Sequence, residues 1–319
     1  MSNRPTDHAF TADSLYGGAQ EPTFSGALSF MRRRYTRDLK GVDLVIWGVP
    51  FDSATSNRPG ARFGPQAIRR ASAILDGDPQ YPFGVDPFKE LAVIDWGDCG
   101  IDHGRVDLVP AAIETQAKSI IGGPDRPPTL LTLGGDHSIT YSLLKLHAAK
   151  SGPLALVQFD AHQDTWNPDP HRIDHGSFVA RAVNDGLIDP ARSIQVGIRT
   201  HAPADCGIEI VWGHEIETQG LAAVTERIVR RVGNANAYLT FDIDALDPAF
   251  APGTGTPVAG GLTSREAMIL LEKLGSLKLV GFDVMEVSPA YDHADITALA
   301  GATLAMTMIA TWGQSRRKR

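Results

Sequence analysis

The segment Phe159-Asp160-Ala161-His162-Gln163-Asp164 sets an acid, an imidazole and a second acid at alternate positions directly after an apolar run. Some eighty residues later Phe241-Asp242-Ile243-Asp244 repeats the alternation after another apolar run. In an extended backbone, side chains at i, i+2 and i+4 share one face, so Asp160, His162 and Asp164 are expected to face one space and Asp242 and Asp244 another. His137 closes Leu133-Gly134-Gly135-Asp136-His137-Ser138, where a third apolar run ends in glycines that let the chain turn. Four carboxylates and two imidazoles gathered in one place are tolerable only if cations neutralise the acids, because like charges and desolvation both oppose ionisation. A single Asp after a strand is commonly a helix cap. Two alternating clusters and a strand-end His together point instead to a pair of divalent ions. A ligand set without sulfur favours a harder metal such as Mn²⁺ over structural zinc, and the imidazoles leave Zn²⁺, Ni²⁺ and Fe²⁺ open.

Those clusters fall within a regular alternation. Apolar, β-branched runs at residues 42–49, 91–95, 129–133, 154–159, 193–197, 208–212, 237–241 and 279–284 predict eight strands. Helical patterns at 65–75, 108–121, 138–149, 177–184, 221–232 and 263–274 lie between them, with a last one near 296–309. Pro65 suits a first helical position, and Thr263 with Glu266 has the spacing of a capping box. The connection over 198–207 shows little helical character. Alternation of this kind gives crossover helices and a parallel sheet, open or closed into a barrel, and either form places ligands at the carboxyl ends of strands.

A chain of 319 residues, 43% hydrophobic and 21% charged, can bury a large core. It divides into an N-terminal arm over 1–40 and a single catalytic domain over 41–319. The arm is polar and rich in Gly and Arg, with Arg32, Arg33 and Arg34 together, and is expected to wrap the surface or make an oligomer contact. A net charge of −7 without a dense basic face argues against nucleic acid or an anionic membrane as partner. Cys99 and Cys206 are far apart, so neither a disulfide framework nor a thiolate metal site is expected, and a cytoplasmic location fits. There is no signal-peptide pattern, and no run is expected to span a bilayer. The C-terminal Arg316-Arg317-Lys318-Arg319 reads as a solvated tail.

Other motifs divide between chemistry and architecture. The stretch Gly253 to Gly261 lacks the Gly-Lys-Ser/Thr ending of a phosphate loop, so nucleotide binding is not expected. Arg58 and Arg62, in Asn57-Arg58-Pro59-Gly60-Ala61-Arg62, either bind an anion or pair with carboxylates inside a loop. His175, shortly after the first cluster, is placed to shuttle protons. Glu286 follows the last apolar run, where a carboxylate can hold a cationic substrate.

The chain resembles the ureohydrolases, the family that includes arginase, agmatinase and guanidinobutyrase. The resemblance runs from Gly48-Val49-Pro50-Phe51-Asp52 through the His137, Asp160 and Asp242 motifs and Asp247-Pro248-Ala249-Phe250-Ala251-Pro252-Gly253-Thr254-Gly255-Thr256-Pro257 to Glu286-Val287-Ser288-Pro289. It covers nearly everything after the arm. The wording of Gly197-Ile198-Arg199-Thr200 and Ser288-Pro289-Ala290-Tyr291-Asp292 looks most like the agmatinase branch. The resemblance implies an open three-layer α/β/α fold with an eight-stranded, mainly parallel sheet, assembled as homo-oligomeric trimers or hexamers. It also implies two Mn²⁺ per subunit: His137 and Asp164 on one ion, His162 and Asp244 on the other, Asp160 and Asp242 bridging. Three catalytic roles follow from it: Glu286 holds the guanidinium, Asp164 takes a proton from the tetrahedral intermediate, and His175 supplies one to the leaving amine.

The expected reaction on a small guanidino substrate is conversion of agmatine to putrescine and urea, with guanidinobutyrate as the nearest rival. Arginine is disfavoured because the loop over 165–174 is unlike that of arginases. In that loop Asp169 or Asp174 could attract a distal ammonium, and Arg172 a distal carboxylate. Gln163 departs from the small residue common in the family. Two further rivals are a non-catalytic regulator, whose mark would be lost ligands, and a deacetylase using one zinc.

Overall fold

A computed structural model of the chain describes residues 10, 14–17, 22–75, 80–123, 127–169, 172 and 174–317. Its strands are β1 (Arg34–Tyr35), β2 (Leu44–Val49), β3 (Val93–Asp98), β4 (Thr129–Gly134), β5 (Ala155–Phe159), β6 (Ile194–Ile198), β7 (Glu209–Trp212), β8 (Asn236–Asp242) and β9 (Lys278–Met285). They form one sheet in the order β1-β3-β2-β4-β9-β8-β5-β6-β7, and every neighbouring pair is parallel. The sheet therefore has nine strands where eight were expected. The addition is the two-residue β1, too short to show any period in the sequence.

The α-helices are α1 (Gly64–Ser72), α2 (Val109–Ile121), α3 (Ile139–Ser151), α4 (Phe178–Asn184), α5 (Gly213–Gln219), α6 (Leu221–Val232), α7 (Ser264–Glu272) and α8 (Ile296–Arg317). Of these eight, only α5, a polar seven-residue turn of helix with the single buried residue Ile216, lacks a counterpart in the periodicity. Thr263 and Glu266 form the capping box that starts α7, the Thr263 hydroxyl accepting from the Glu266 N–H at 3.1 Å and Glu266 accepting from the Thr263 N–H at 2.8 Å.

Side chains of each strand alternate between two apolar layers. In β2, Leu44 and Ile46 join a cluster with residues of α1, α6, α7 and α8, whereas Val45, Trp47 and Val49 join a second with residues of α2, α3 and α4. Burial on both faces is why the strands read as continuous apolar runs. The sheet stays open, which settles the choice between barrel and doubly wound sheet.

Two terminal segments are more deeply involved than their composition suggests. In the arm, Phe30 and Met31 sit in the core, Arg32 and Arg33 are buried, and β1 pairs with β3. At the other end α8 is, by length and composition, apolar enough to cross a membrane, contrary to the expectation that no run is. Of its most apolar window 83% is buried inside the protein, which accounts for the composition without a bilayer. Arg316 is held by Asp43 at 2.8 Å and stacks over Trp312, so the basic tail is anchored at its first residue; Lys318 and Arg319 lie outside the described residues.

The topology gathers the site. The last strand, β9, inserts between β4 and β8, and β8 pairs with β5, so the carboxyl ends of β4, β9, β8 and β5 stand side by side. Register aligns them: Phe159 lies beside Phe241, Asp242 beside Met285, and Leu133 beside Val284. Open α/β sheets bind ligands at carboxyl ends where the strand order switches direction.

Candidate metal centre

The strands deliver the acidic and imidazole groups, but turns aim them. β5 ends at Phe159, and beyond it Asp160 Oδ1 accepts from the His162 N–H at 2.7 Å while Asp164 takes a left-handed φ of 52°. Asp242 ends β8, and its Oδ1 accepts from the Asp244 N–H at 2.8 Å, starting a 3₁₀ turn over Ile243–Ala245. The extended comb expected over 160–164 is thus a local fold in which aspartates satisfy backbone donors left over at strand ends. The two clusters also interleave instead of facing separate spaces.

His137 Nδ1 lies 3.0 Å from Asp242 Oδ2, 3.1 Å from Asp160 Oδ2 and 3.3 Å from Asp164 Oδ2. His162 Nδ1 lies 3.0 Å from Asp244 Oδ2 and 3.4 Å from Asp160 Oδ1. Two potential cation sites result, His137 with Asp160 and Asp242, and His162 with Asp160 and Asp244, the ligand atoms of each within 4.8 Å of one another. Asp160 belongs to both. All six side chains except His162 are buried.

The glycines before His137 fix its approach. A Cβ on Gly134 would lie 1.8 Å from Met285 Sδ, and one on Gly135 would lie 1.8 Å from the Phe51 carbonyl oxygen. Behind the ring, His137 Nε2 meets Thr240 Oγ1 at 2.7 Å, and Thr240 donates to Asp283 at 2.5 Å. Asp283 is buried and also accepts from Tyr238 and Thr140. Occupying Nε2 from behind leaves Nδ1 to face the carboxylates, the orientation an outer hydrogen bond gives a His that could bind a metal. Thr240 and Asp283 went unassigned in the sequence. Their signal was a polar residue within each apolar run, and for Thr240 a position two before Asp242 on the same face.

Left to protons alone, the cluster splits. Burial and the neighbouring Asp244 and Asp160 raise the Asp242 carboxyl well above its ordinary range, and burial with Asp160 pushes Asp164 up to about 7. Burial works against charge on His162, yet Asp244 and Asp160 outweigh it and push its pKa up to about 12. Asp160 is driven down against its burial by His137 and His162. A shared, buried excess of carboxylate is the environment that divalent cations neutralise, and the hard oxygen and imidazole donors fit them.

Glu286 and His175 stand beside the centre. Glu286 has φ 64°, and its Oε1 accepts from the His137 N–H at 2.9 Å and meets His175 Nδ1 at 2.9 Å. Its Oε2 is buried without a hydrogen-bond partner among the described residues. A Cβ on Gly255 would make ordinary contact with that oxygen at 3.7 Å and would press on the Arg58 carbonyl oxygen at 3.2 Å. Gly255 is itself held by Asn57 Nδ2, which donates to its carbonyl at 2.9 Å. The glycine-rich stretch thus passes beside Glu286 at Gly255. Burial works against the His175 cation, but Glu286 outweighs it and lifts the pKa to about 9. Asp136, inside the His137 motif, was also missed: its carboxylate accepts from the Ala54 and Ser138 N–H groups, and burial with Glu286 raises it to about 7.

The remaining candidates take structural places. Arg62 pairs with Asp52 at 2.5 Å, the architectural alternative for that loop, while Arg58 lies over the Tyr291 ring. Arg172 pairs with Asp174 at 3.3 Å. Pro170, His171 and Ile173 of the same loop lie outside the described residues. Arg199 donates to the carbonyls of Asp244, at 2.6 Å, and Val258, at 2.8 Å, stapling the Asp244 turn in place.

A model of the arginase family matches residues 42–310. The chain belongs to the arginase family. Within that family it is 48% identical to an agmatinase of Chromobacterium violaceum, over 95% of this chain and 94% of that protein. The crystal structure of a hypothetical agmatinase from Burkholderia thailandensis superposes with a TM-score of 0.95 at 50% identity, covering 98% of this chain and 99% of that one. Proclavaminate amidino hydrolase from Streptomyces clavuligerus follows the same arginase-family fold with a TM-score of 0.87 at 38% identity, covering 92% and 100% of the two chains. The three-layer α/β/α architecture expected from the resemblance is the one this family shares.

Proposed function

We propose that this arginase-family enzyme hydrolyses the guanidino group of agmatine to give putrescine and urea, using two Mn²⁺ ions per subunit. The observation that carries the metal chemistry is the sharing of Asp160 between two carboxylate–imidazole groups beside a buried Glu286 with one free oxygen. The naming of its relatives as agmatinases supports the substrate. His137 and Asp164 would hold one ion and His162 and Asp244 the other, with Asp160 and Asp242 shared between them. The chemistry supplied by bound ions is acidification of water, so that hydroxide is available near neutral pH.

The chain's own residues do the rest. Guanidinium is cationic and resonance-stabilised, so its carbon is a poor electrophile until it is oriented. Glu286 Oε2 accepts from its N–H groups and holds the carbon in line for attack. Asp164 takes a proton from the tetrahedral intermediate, and His175 delivers one to the departing amine. Water adds to the guanidino carbon, the bond to the alkyl nitrogen breaks, and urea and the amine leave.

Arg172, which would draw a distal carboxylate, pairs with Asp174, which would draw a distal ammonium, so the choice of agmatine over guanidinobutyrate rests on the agmatinase relatives. A regulator that has lost its ligands is not supported by six gathered ligands, nor a one-zinc deacetylase by two sites. A homo-oligomer belongs to the proposal, supported by the partly exposed Phe250, Ile296 and Leu299 along one shallow groove. A cytoplasmic location does too, supported by two free cysteines. Steady-state urea release by the Mn²⁺-loaded protein from agmatine, 4-guanidinobutyrate, 3-guanidinopropionate and arginine tests the substrate. Agmatine is expected to give the highest kcat/KM, and no urea from agmatine ends the proposal.

A further inference from the structure

Gln158 and Gln195 are fully buried polar side chains facing each other in register across β5 and β6. A buried amide pair of this kind needs a reason, since desolvated amides are unfavourable unless bonded. Their hydrogen bonds have one consistent direction. The Gln163 carbonyl can only accept, so the Gln195 group 2.6 Å from it is the NH₂. The same NH₂ lies 2.7 Å from Gln158 Oε1, which turns the Gln158 NH₂ toward the metal ligands. There it donates to Asp160 Oδ2 at 2.7 Å and reaches Asp164 Oδ2 at 3.5 Å.

Each oxygen of Asp160 consequently has one fixed donor: the His162 N–H on Oδ1 and Gln158 on Oδ2, both at 2.7 Å. Oδ1 is the oxygen on the His162 side and Oδ2 the one on the His137 side. Resting on the binuclear centre proposed above, we propose that Gln158, oriented by Gln195, is a positioning residue that locks Asp160 across both ions and sustains affinity at the His137 side. Pinning both oxygens stops the carboxylate from rotating onto one ion. An amide suits the task because it supplies donor hydrogens without a net positive charge. A Lys or Arg in its place would pair with the acids and repel the incoming cations.

Calorimetric Mn²⁺ titration of the full chain, with electron paramagnetic resonance of the loaded protein, tests this. Wild type is expected to take two ions per chain and show an exchange-coupled pair. Gln158→Met keeps the side-chain length but removes the donor. One ion is expected to weaken by ~10–100-fold, the range typical of lost outer hydrogen bonds to metal ligands, and the coupled signal to give way to an isolated one. Gln195→Met is expected to weaken the same ion less, and the double variant to be no worse than Gln158→Met, because the two act in series. If Gln158→Met does not fold, Gln195→Met carries the test. Two unchanged affinities, even with a lower Tm, would reduce the pair to packing and overturn the inference while leaving the proposed metal centre standing. Wild type binding no Mn²⁺ would overturn both.

Discussion

His175 is held between an acid and an amide that favour different protonation states. Glu286 at Nδ1 favours the imidazolium, whereas the Ser56 N–H points at Nε2 from 3.0 Å and disfavours a proton there, leaving Ser56 Oγ at 2.8 Å to accept it. The Nε2 proton is therefore the one readily given up, which suits an acid that serves a leaving amine. With a folded pKa of about 9 against an ordinary 6.5, the ion pair stabilises the protein fully below pH 6.5, and that contribution is lost as pH rises through about 9. Activity is expected to fall on the same alkaline limb. In His175→Asn, kcat should drop ~10²–10⁴-fold, the usual contribution of a general acid, and a pH–rate profile should lose that limb. Asp160→Asn is expected to abolish ion pairing, with activity falling beyond the ~10–100-fold typical of an outer partner, while circular dichroism shows the fold intact. Unaltered turnover in that variant would contradict the ligand assignment. The candidate ligands could be singled out in the sequence because their types and spacing are peculiar, and the fold brings them together. Thr240, Asp283 and Gln158 were not, because a lone polar residue in an apolar strand acquires meaning only from what lies opposite it.

Helix and strand ends decide how well those side chains are aimed. The capping box at Thr263 and Glu266 satisfies backbone donors at the start of α7, whose buried side chains share an apolar layer with those of α8. Thr263→Ala should cost about 1 kcal/mol, read as a lower Tm, without altering kcat/KM. Change in activity larger than the loss of folded protein would mean that α7 reaches the centre. Element types followed from periodicity wherever a run was long enough to show one. The two-residue β1 and the seven-residue α5 escaped because neither completes enough of its period, and the turns after β5 and β8 escaped because alternating acids look extended when they are folding back on their own backbone.

Across the whole molecule, buried carboxylates clustered at one end of the sheet oppose folding until cations arrive. Ions that bind only the folded chain stabilise it by mass action, by about 2.7 kcal/mol for each ion at a hundred times its Kd. Chelation of the loaded protein with EDTA is expected to lower Tm by several degrees, and added Mn²⁺ to restore it. A Tm indifferent to both would mean that the cluster is neutralised by protons alone. The sequence by itself determined the parallel α/β class, the family and the set of acids and imidazoles, because periodicity and residue chemistry are local properties of a chain. Tertiary structure alone decided that β9 enters between β4 and β8, that Asp160 belongs to both halves of the centre, and that a buried amide backs it. Strand order and the partner across a sheet are set by long-range packing, which no local pattern encodes.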